Sequence, residues 1–345
     1  MGAIANLRGE KSYDILDYAL TSVCNMTHRG AVDADMKTGD GSGILCQIPR
    51  PLFAKAAGKF GYTGDENDLG VGVFFLPEGI AANIKSFTES VLTRRNIQIV
   101  GWREVPVNPE ELGNLARLTQ PEITHLLVSR PADVDTDHFE RLLYLVRREV
   151  EREFENEAAF YIPTLSSRLI SYKGLAMPAT LRAFYSDLQD SDFQTGISLY
   201  HQRFSTNTFP AWPLGQPFRM MCHNGEINTV RGNRNWMRSR EEFFRSELWG
   251  DDIDLVKNLM HDEESDSASL DHALELLVLS GRRLEHAMRM LVPPAFRHDP
   301  DITEEERAFY NYIRSFSEPW DGPAGLCLTD GRTVGARLDR NGLRP

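Results

Sequence analysis

The sequence predicts an α+β fold. Strand-like segments are mixed irregularly with amphipathic helices, and one strand pair reads as an antiparallel hairpin. No Gly-x-Gly-x-x-Gly opens a helix after a strand, so a doubly wound dinucleotide fold has no support.

Residues 12–27 read as a helix, with Ile15, Leu16, Ala19, Leu20 and Val23 at helical spacing. A turn-rich segment follows from Thr27 to Ser42; its glycines could cradle an anion, but such a segment is more often only a turn, and no Lys with a helix onset follows to make a phosphate site. Gly70 to Leu76 reads as a buried strand. Residues 136–156 read as an amphipathic helix with Phe139, Leu142, Leu143, Val146, Val150 and Phe154 on one face and charges on the other. Gly196 to Tyr200 is a further strand, and residues 267–280 a Leu- and Ala-rich helix. Ala324 to Thr329, the turn Asp330-Gly331, and Arg332 to Leu338 form the expected hairpin.

The 345 residues, 41% of them hydrophobic, are enough for a large buried core. The net charge of -12, with no basic block, excludes an electrostatic footprint for nucleic acid. No apolar run approaches the ~20 residues of a membrane span, and the start carries no signal peptide, so no membrane partner is expected. Met1-Gly2 opens a myristoylation pattern, but Asn6 stands where Ser or Thr is needed. Cys24, Cys46, Cys222 and Cys327 are far apart with no Cys-x-x-Cys, so no metal site is expected and a reducing, cytoplasmic setting fits.

Four segments carry possible chemistry. In Tyr200-His201-Gln202-Arg203-Phe204-Ser205-Thr206-Asn207-Thr208, Arg203 offers a planar fork for a carboxylate; an ordinary ion pair with a neighbouring Asp or Glu is the plainer account. In Met221-Cys222-His223-Asn224-Gly225-Glu226-Ile227-Asn228, Asn224-Gly225 is either a simple hairpin turn or an oxyanion hole made of the Asn224 amide and the Gly225 N–H. In Glu264-Ser265-Asp266-Ser267-Ala268-Ser269, Ser265 or Asp266 is a helix N-cap, and Asp266 can also receive an ammonium group. The fourth is Thr27-His28-Arg29-Gly30 followed by the glycines of Thr38 to Gly43.

In this order, these segments closely resemble the amidotransferase domain of the glutamate synthase large subunit, a class II glutamine amidotransferase and N-terminal-nucleophile hydrolase. The matching words include His28-Arg29-Gly30-Ala31, Thr38-Gly39-Asp40-Gly41, His201 through Pro210, His223 through Thr229, Arg231 through Trp236, Ser265 through Ala268, Pro319 through Ala324 and Leu338 through Pro345. The match spans essentially the whole chain, so residues 1–345 are expected to form one glutaminase domain, truncated at both ends. The resemblance implies a four-layer αββα sandwich. It also implies a chemistry in which an N-terminal Cys thiolate attacks the glutamine side-chain amide and the chain's own α-amino group is the general base. By motif position, Arg203 would bind the α-carboxylate and Asp266 the α-ammonium. Asn224 and Gly225 would form the oxyanion hole, and Arg29 would shape the pocket.

One departure matters. The family opens with Cys-Gly and a short apolar residue; here Met1 falls on the third position and the Cys-Gly pair is absent. Cys24 has no free amine beside it and is a poor substitute. The chain as given is expected to bind glutamine without forming a thioester. The alternative function is a catalytically dead glutamine-binding or regulatory module. The expected partners are L-glutamine and a synthase domain or small subunit of glutamate synthase. FMN and an iron–sulfur cluster are expected only in the missing part of the parent enzyme.

Overall fold

The computed structural model describes residues 1–30, 37–157, 159–203 and 211–344, with only the backbone of Arg29. Two compact units are distinguishable within the chain, residues 1–219 and 220–345.

The first unit holds strands β1 (Gly2–Ala5), β2 (Thr38–Gln47), β3 (Leu69–Leu76), β4 (Gln98–Glu104), β5 (Glu122–Ser129), β6 (Tyr161–Ser166), β7 (Leu169–Ala176) and β8 (Ile197–Gln202). Its helices are α1 (Tyr13–Asn25), α2 (Arg50–Gly58), α3 (Ala81–Arg94), α4 (Asn114–Leu118), α5 (Thr136–Glu153) and α6 (Pro178–Phe184). The strands form two four-stranded sheets, in the orders β1-β8-β2-β7 and β4-β5-β3-β6, with antiparallel pairings. Helix α1 packs on β1 and β8, and α6 on β2 and β7.

The strand expected at Gly70–Leu76 is β3, and all of its residues are buried. A Cβ at Gly70 would make tight contacts of 3.0 Å with Leu143, 3.0 Å with Val128 and 3.2 Å with Phe139, so the absence of a side chain lets α5 pack closely. Helix α5 starts where the Asp135 carboxylate accepts the Asp137 and His138 amides, both at 2.8 Å. Its Phe139, Leu143, Val146 and Val150 pack with Phe74, Leu126 and Val128 of the sheet. The charges of this helix are not all solvated, as the pattern alone implied. Glu140 is buried and accepts hydrogen bonds from the Ser167 amide (2.7 Å) and hydroxyl (2.6 Å) as well as from Ser166.

Deeper in this unit, Arg103 of β4 donates to both oxygens of Asp187 at 2.5 and 2.8 Å, and the Tyr172 hydroxyl donates at 2.8 Å. Burial raises the Asp187 carboxyl, but the Arg103 hydrogen bonds and the neighbouring charges bring it below its usual range. Burial also pushes the adjacent His125 down to about 3; its Nδ1 accepts from Arg103 Nη1 at 3.0 Å, and its ring packs edge-on against Tyr172.

The second unit holds β9 (Met221–Gly225), β10 (Ala324–Thr329) and β11 (Val334–Leu338), ordered β11-β10-β9 and antiparallel. Its helices are α7 (Val230–Glu241), α8 (Asp266–Leu279), α9 (Leu284–Leu291) and α10 (Glu304–Ile313). The expected hairpin is β10–β11, but Thr329 pairs with Val334, so the loop is longer than Asp330-Gly331. The Asp330 carboxylate accepts the Arg332 and Thr333 amides at 2.9 and 2.7 Å, and those two residues are thereby drawn into the turn. Helix α8 is tied to the start of β9 by buried Asp271, whose carboxylate accepts the Met220 and Met221 amides at 2.9 and 3.0 Å.

Among the described residues, no helix is long and apolar enough to cross a membrane. Among them, too, no group of three or more His, Cys, Asp or Glu side chains is placed to hold a metal ion.

Candidate active site

Of the residues singled out from the sequence, Arg29 and Arg203 lie in the first unit, and Asn224, Gly225 and Asp266 in the second.

Arg203 follows the last residue of β8, as its placement after a strand implied. Its φ is +129°, a region that costs a residue with a side chain ~1–3 kcal/mol and persists only where the surroundings hold it. A contact from a distant part of the chain helps hold it: the Arg203 amide donates to the Gly41 carbonyl at 2.9 Å. The guanidinium is half exposed, and its Nε donates to Asp40 at 3.2 Å. The plainer sequence account, an ion pair, is therefore present through one nitrogen of the fork. Residues 204–208 of this motif lie outside the described residues.

The glycine-rich segment Thr38 to Gly43 is not a turn but the first half of β2, paired with β7 across an irregularity between Thr38 and Ser42. The strand reaches this far because the bulge absorbs Gly41 at φ +88° and the pairing resumes at Ser42. The anion cradle contemplated for these glycines is thus the first half of an interior strand, whose Asp40 accepts from Arg203. Arg29 ends a 3-10 turn spanning Thr27–Arg29. Residues 31–36 lie outside the described residues.

In the second unit, Asn224 and Gly225 end β9 and pair with Gly325 and Ala324 of β10. They are therefore not the two-residue hairpin turn that Asn-Gly signals: the chain continues into α7 and the partner strand arrives from far along the sequence. Gly225 has φ +138°, and a Cβ there would collide with the Pro323 carbonyl oxygen, so only glycine fits. Asn224 is exposed, and its Oδ1 accepts from Arg344 Nη2 at 2.7 Å.

The N-cap of α8 is Ser265, whose hydroxyl accepts the Ala268 amide at 3.1 Å. Asp266 is accordingly the first helical residue. Its half-buried carboxylate accepts the Ile227 amide at 2.7 Å and the Ser267 amide at 2.8 Å. The first bond joins the helix start to the turn just after Asn224-Gly225. Negative charge is also favoured at a helix N-terminus. His223, buried on β9, is held low by desolvation, with Asp266 and Glu226 opposing the shift.

Three residues that sequence reasoning did not single out build this region. Arg234 of α7, only 7% exposed, donates to the Ser269 hydroxyl (2.9 Å) and to the carbonyls of Asp262 (3.1 Å), Glu264 (2.6 Å) and Ser265 (3.2 Å). It thereby fixes the loop that ends in Asp266. Asp339 and Arg344 shape the segment after β11. The Asp339-x-x-Gly342 spacing is a turn signal that could have pointed to it.

Cys24, Cys46, Cys222 and Cys327 are not joined in disulfides. Cys24 donates to the Pro178 carbonyl at 3.3 Å, and burial raises its thiol, which is the opposite of an activated nucleophile. Cys46 is fully buried and pushed up to about 12 by desolvation.

The chain matches a family model described as glutamine amidotransferases class-II over residues 1–345. It is 43% identical over 355 residues to the ferredoxin-dependent glutamate synthase of Pyropia yezoensis, covering all of this chain and 23% of that protein. It is 41% identical to the glutamate synthase [NADPH] large chains of Bacillus subtilis (strain 168), over 349 residues, and Azospirillum brasilense, over 350 residues, again with 100% of this chain and 23% of each relative covered. The chain thus spans about a quarter of the length of these relatives. The mixed helices and antiparallel sheets agree with the N-terminal-nucleophile hydrolase fold that such proteins share, and the chain belongs to the class II glutamine amidotransferases.

Proposed function

We propose that this chain is the glutamine-hydrolysing domain of a glutamate synthase, releasing ammonia for reductive amination of 2-oxoglutarate in a synthase domain elsewhere in the parent protein. The observation that carries the proposal is the Asp266–Ile227 hydrogen bond of 2.7 Å. It joins two motifs about forty positions apart, so that an ammonium-binding carboxylate and an oxyanion turn belong to one assembly. In this proposal Arg203 grips the α-carboxylate of L-glutamine, Asp266 receives its α-ammonium, and Arg29 shapes the pocket. The Asn224 amide and the Gly225 N–H stabilise the tetrahedral oxyanion, each donor supplying ~3 kcal/mol in the transition state.

The reaction needs an N-terminal thiolate. Strand β1 runs antiparallel to β8 with Gly2 opposite Tyr200, so paired residue numbers sum to 202. Were that register carried on beyond Gly2, a residue two before Met1 (position -1) would come level with Arg203, the residue that follows β8. A Cys at that point would be delivered beside the proposed carboxylate grip, with its own amine as base. Its pKa of about 8 suits proton transfer at neutral pH.

The test compares ammonia release from glutamine by the chain as given and by one with Cys-Gly and an apolar residue placed ahead of Gly2, the initiator methionine removed. Release only from the second is the expected result. Release from neither, with glutamine still bound in calorimetry, would replace the proposal by the binding-only module. Flavin and iron–sulfur chemistry are assigned to other parts of the parent protein; flavin or cluster absorbance in the purified chain would contradict this. A cytoplasmic location belongs to the same proposal and is tested by fractionation.

A further inference from the structure

We propose that Arg344 is a positioning residue that sets which end of the Asn224 side-chain amide faces the substrate, and that Asp339 builds the loop delivering it. This rests on the reading of Asn224 as an oxyanion donor.

A carboxamide has two ends of nearly the same shape and opposite polarity. Turned one way, Asn224 would offer Nδ2–H to a developing oxyanion. Turned the other way, it would offer the lone pairs of Oδ1 and repel that charge. Asn224 is exposed at the end of β9, so packing does not choose between the two. Arg344 does: its Nη2 lies 2.7 Å from Oδ1. A guanidinium has donors and no acceptor, so it can pair only with the oxygen end. With Oδ1 occupied, Nδ2 is directed to the other end of the amide, in the same plane and away from Arg344.

The guanidinium is held by a loop that one carboxylate organises. Asp339, 6% exposed, accepts four backbone amides: Asn341 at 3.0 Å and Leu343 at 2.9 Å on Oδ1, Arg344 at 2.9 Å and Ala324 at 3.0 Å on Oδ2. These bonds offset burial and bring the carboxyl below its usual range. Gly342, at φ +61°, closes the turn. Ala324 is itself the ladder partner of Gly225. The same carboxylate therefore references the Arg344 loop to the strand pair that bears both proposed oxyanion donors. Arg340 anchors the loop a second time, donating to Asp321 at 2.8 Å and to the Pro293 carbonyl at 3.1 Å.

The experiment uses the full-length parent enzyme, with its native N-terminus, and steady-state glutaminase kinetics. Arg344→Gln keeps most of the volume but presents both donor and acceptor, so it no longer selects one amide orientation. It is expected to lower kcat roughly 10- to 100-fold while the KM for glutamine changes less than about 2-fold, because an oxyanion contact is made only in the transition state. Arg344→Lys remains donor-only and is expected to recover most of that loss. In an Asn224→Ala background, Arg344→Gln should cost nothing further. Losses that multiply in the double variant, or a raised KM with unchanged kcat, would overturn the proposal. If Asn224→Ala alone keeps full kcat, the oxyanion reading of Asn224 fails, which is a different result from independent losses. Should Arg344→Gln fail to fold, Asp339→Asn, which keeps the guanidinium but loosens its loop, carries the same double-variant test.

Discussion

Asp187 and Asp339 are both nearly buried carboxylates, at 3% and 6% exposure, yet they do different work. Asp187, in the first unit, is satisfied by side chains: a two-pronged Arg103 and the Tyr172 hydroxyl. Asp339, in the second unit, is satisfied by four backbone amides. A charged side-chain partner locks a core, because losing either member leaves a buried charge uncompensated. Backbone partners instead shape a loop: the amides of Asn341, Leu343 and Arg344 lie in a largely exposed segment and can turn to water once the carboxylate is gone, whereas that of Ala324 is buried. The first arrangement serves stability, and the second serves the placement of a side chain, here Arg344.

The largest expected effect tests the first half of this contrast. Asp187→Leu strands the Arg103 guanidinium and is expected to cost about 3–5 kcal/mol in urea unfolding. A cost near zero would mean that the pair is not the lock described here. Gly225→Ala comes next. Its Cβ would strike the Pro323 carbonyl oxygen at a positive φ, and about 1–3 kcal/mol of destabilisation is expected, read as a lowered thermal midpoint. Asp339→Asn is expected to cost only about 1 kcal/mol of stability while depressing kcat, because its loop is largely exposed. A stability loss as large as that of Asp187→Leu would erase the distinction between lock and loop.

Acid sharpens the comparison further. Both carboxyls are held below their usual range in the folded protein, so both stabilise it fully above the unfolded carboxyl value of about 3.9. That stability is lost as pH falls from there through the lower folded values. Acid unfolding should therefore begin at higher pH for wild type than its neutral stability alone implies, and Asp187→Leu and Asp339→Asn should each flatten the pH dependence. The smallest effect concerns thiols. Cys327 sits opposite Cys222 in the β9–β10 ladder, and a hydrogen bond from Cys222 brings it down to about 7. It should be modified faster by a disulfide reagent at pH 8 than Cys46, whose reaction should await unfolding.

Much of the fold was legible because its elements carry one-dimensional signals. The periodicity of Ile15 to Val23 gave α1, the apolar run Gly70 to Leu76 gave β3, and Ala324 to Leu338 gave a hairpin. The errors have a common physical origin. Glycines 39, 41 and 43 suggested a turn, but pairing with β7 and β8 made a strand of them. Asn224-Gly225 suggested a hairpin, but its ladder partner lies about a hundred residues downstream. Local propensity could not foresee a partner brought in by long-range pairing.

The sequence by itself determined the family, the helix and strand types, and the identities of Arg203, Asn224, Gly225 and Asp266 as candidates, because residue type and spacing are written in the chain. Only the tertiary structure decided that Ser265 takes the cap and Asp266 bonds the Ile227 amide, and that Arg234 fixes the intervening loop. It also decided that Arg344, folded back by Asp339, reaches the oxygen of Asn224. Which end of an amide or which oxygen of a carboxylate is engaged depends on partners distant in sequence. Their directions in space exist only once the chain has folded.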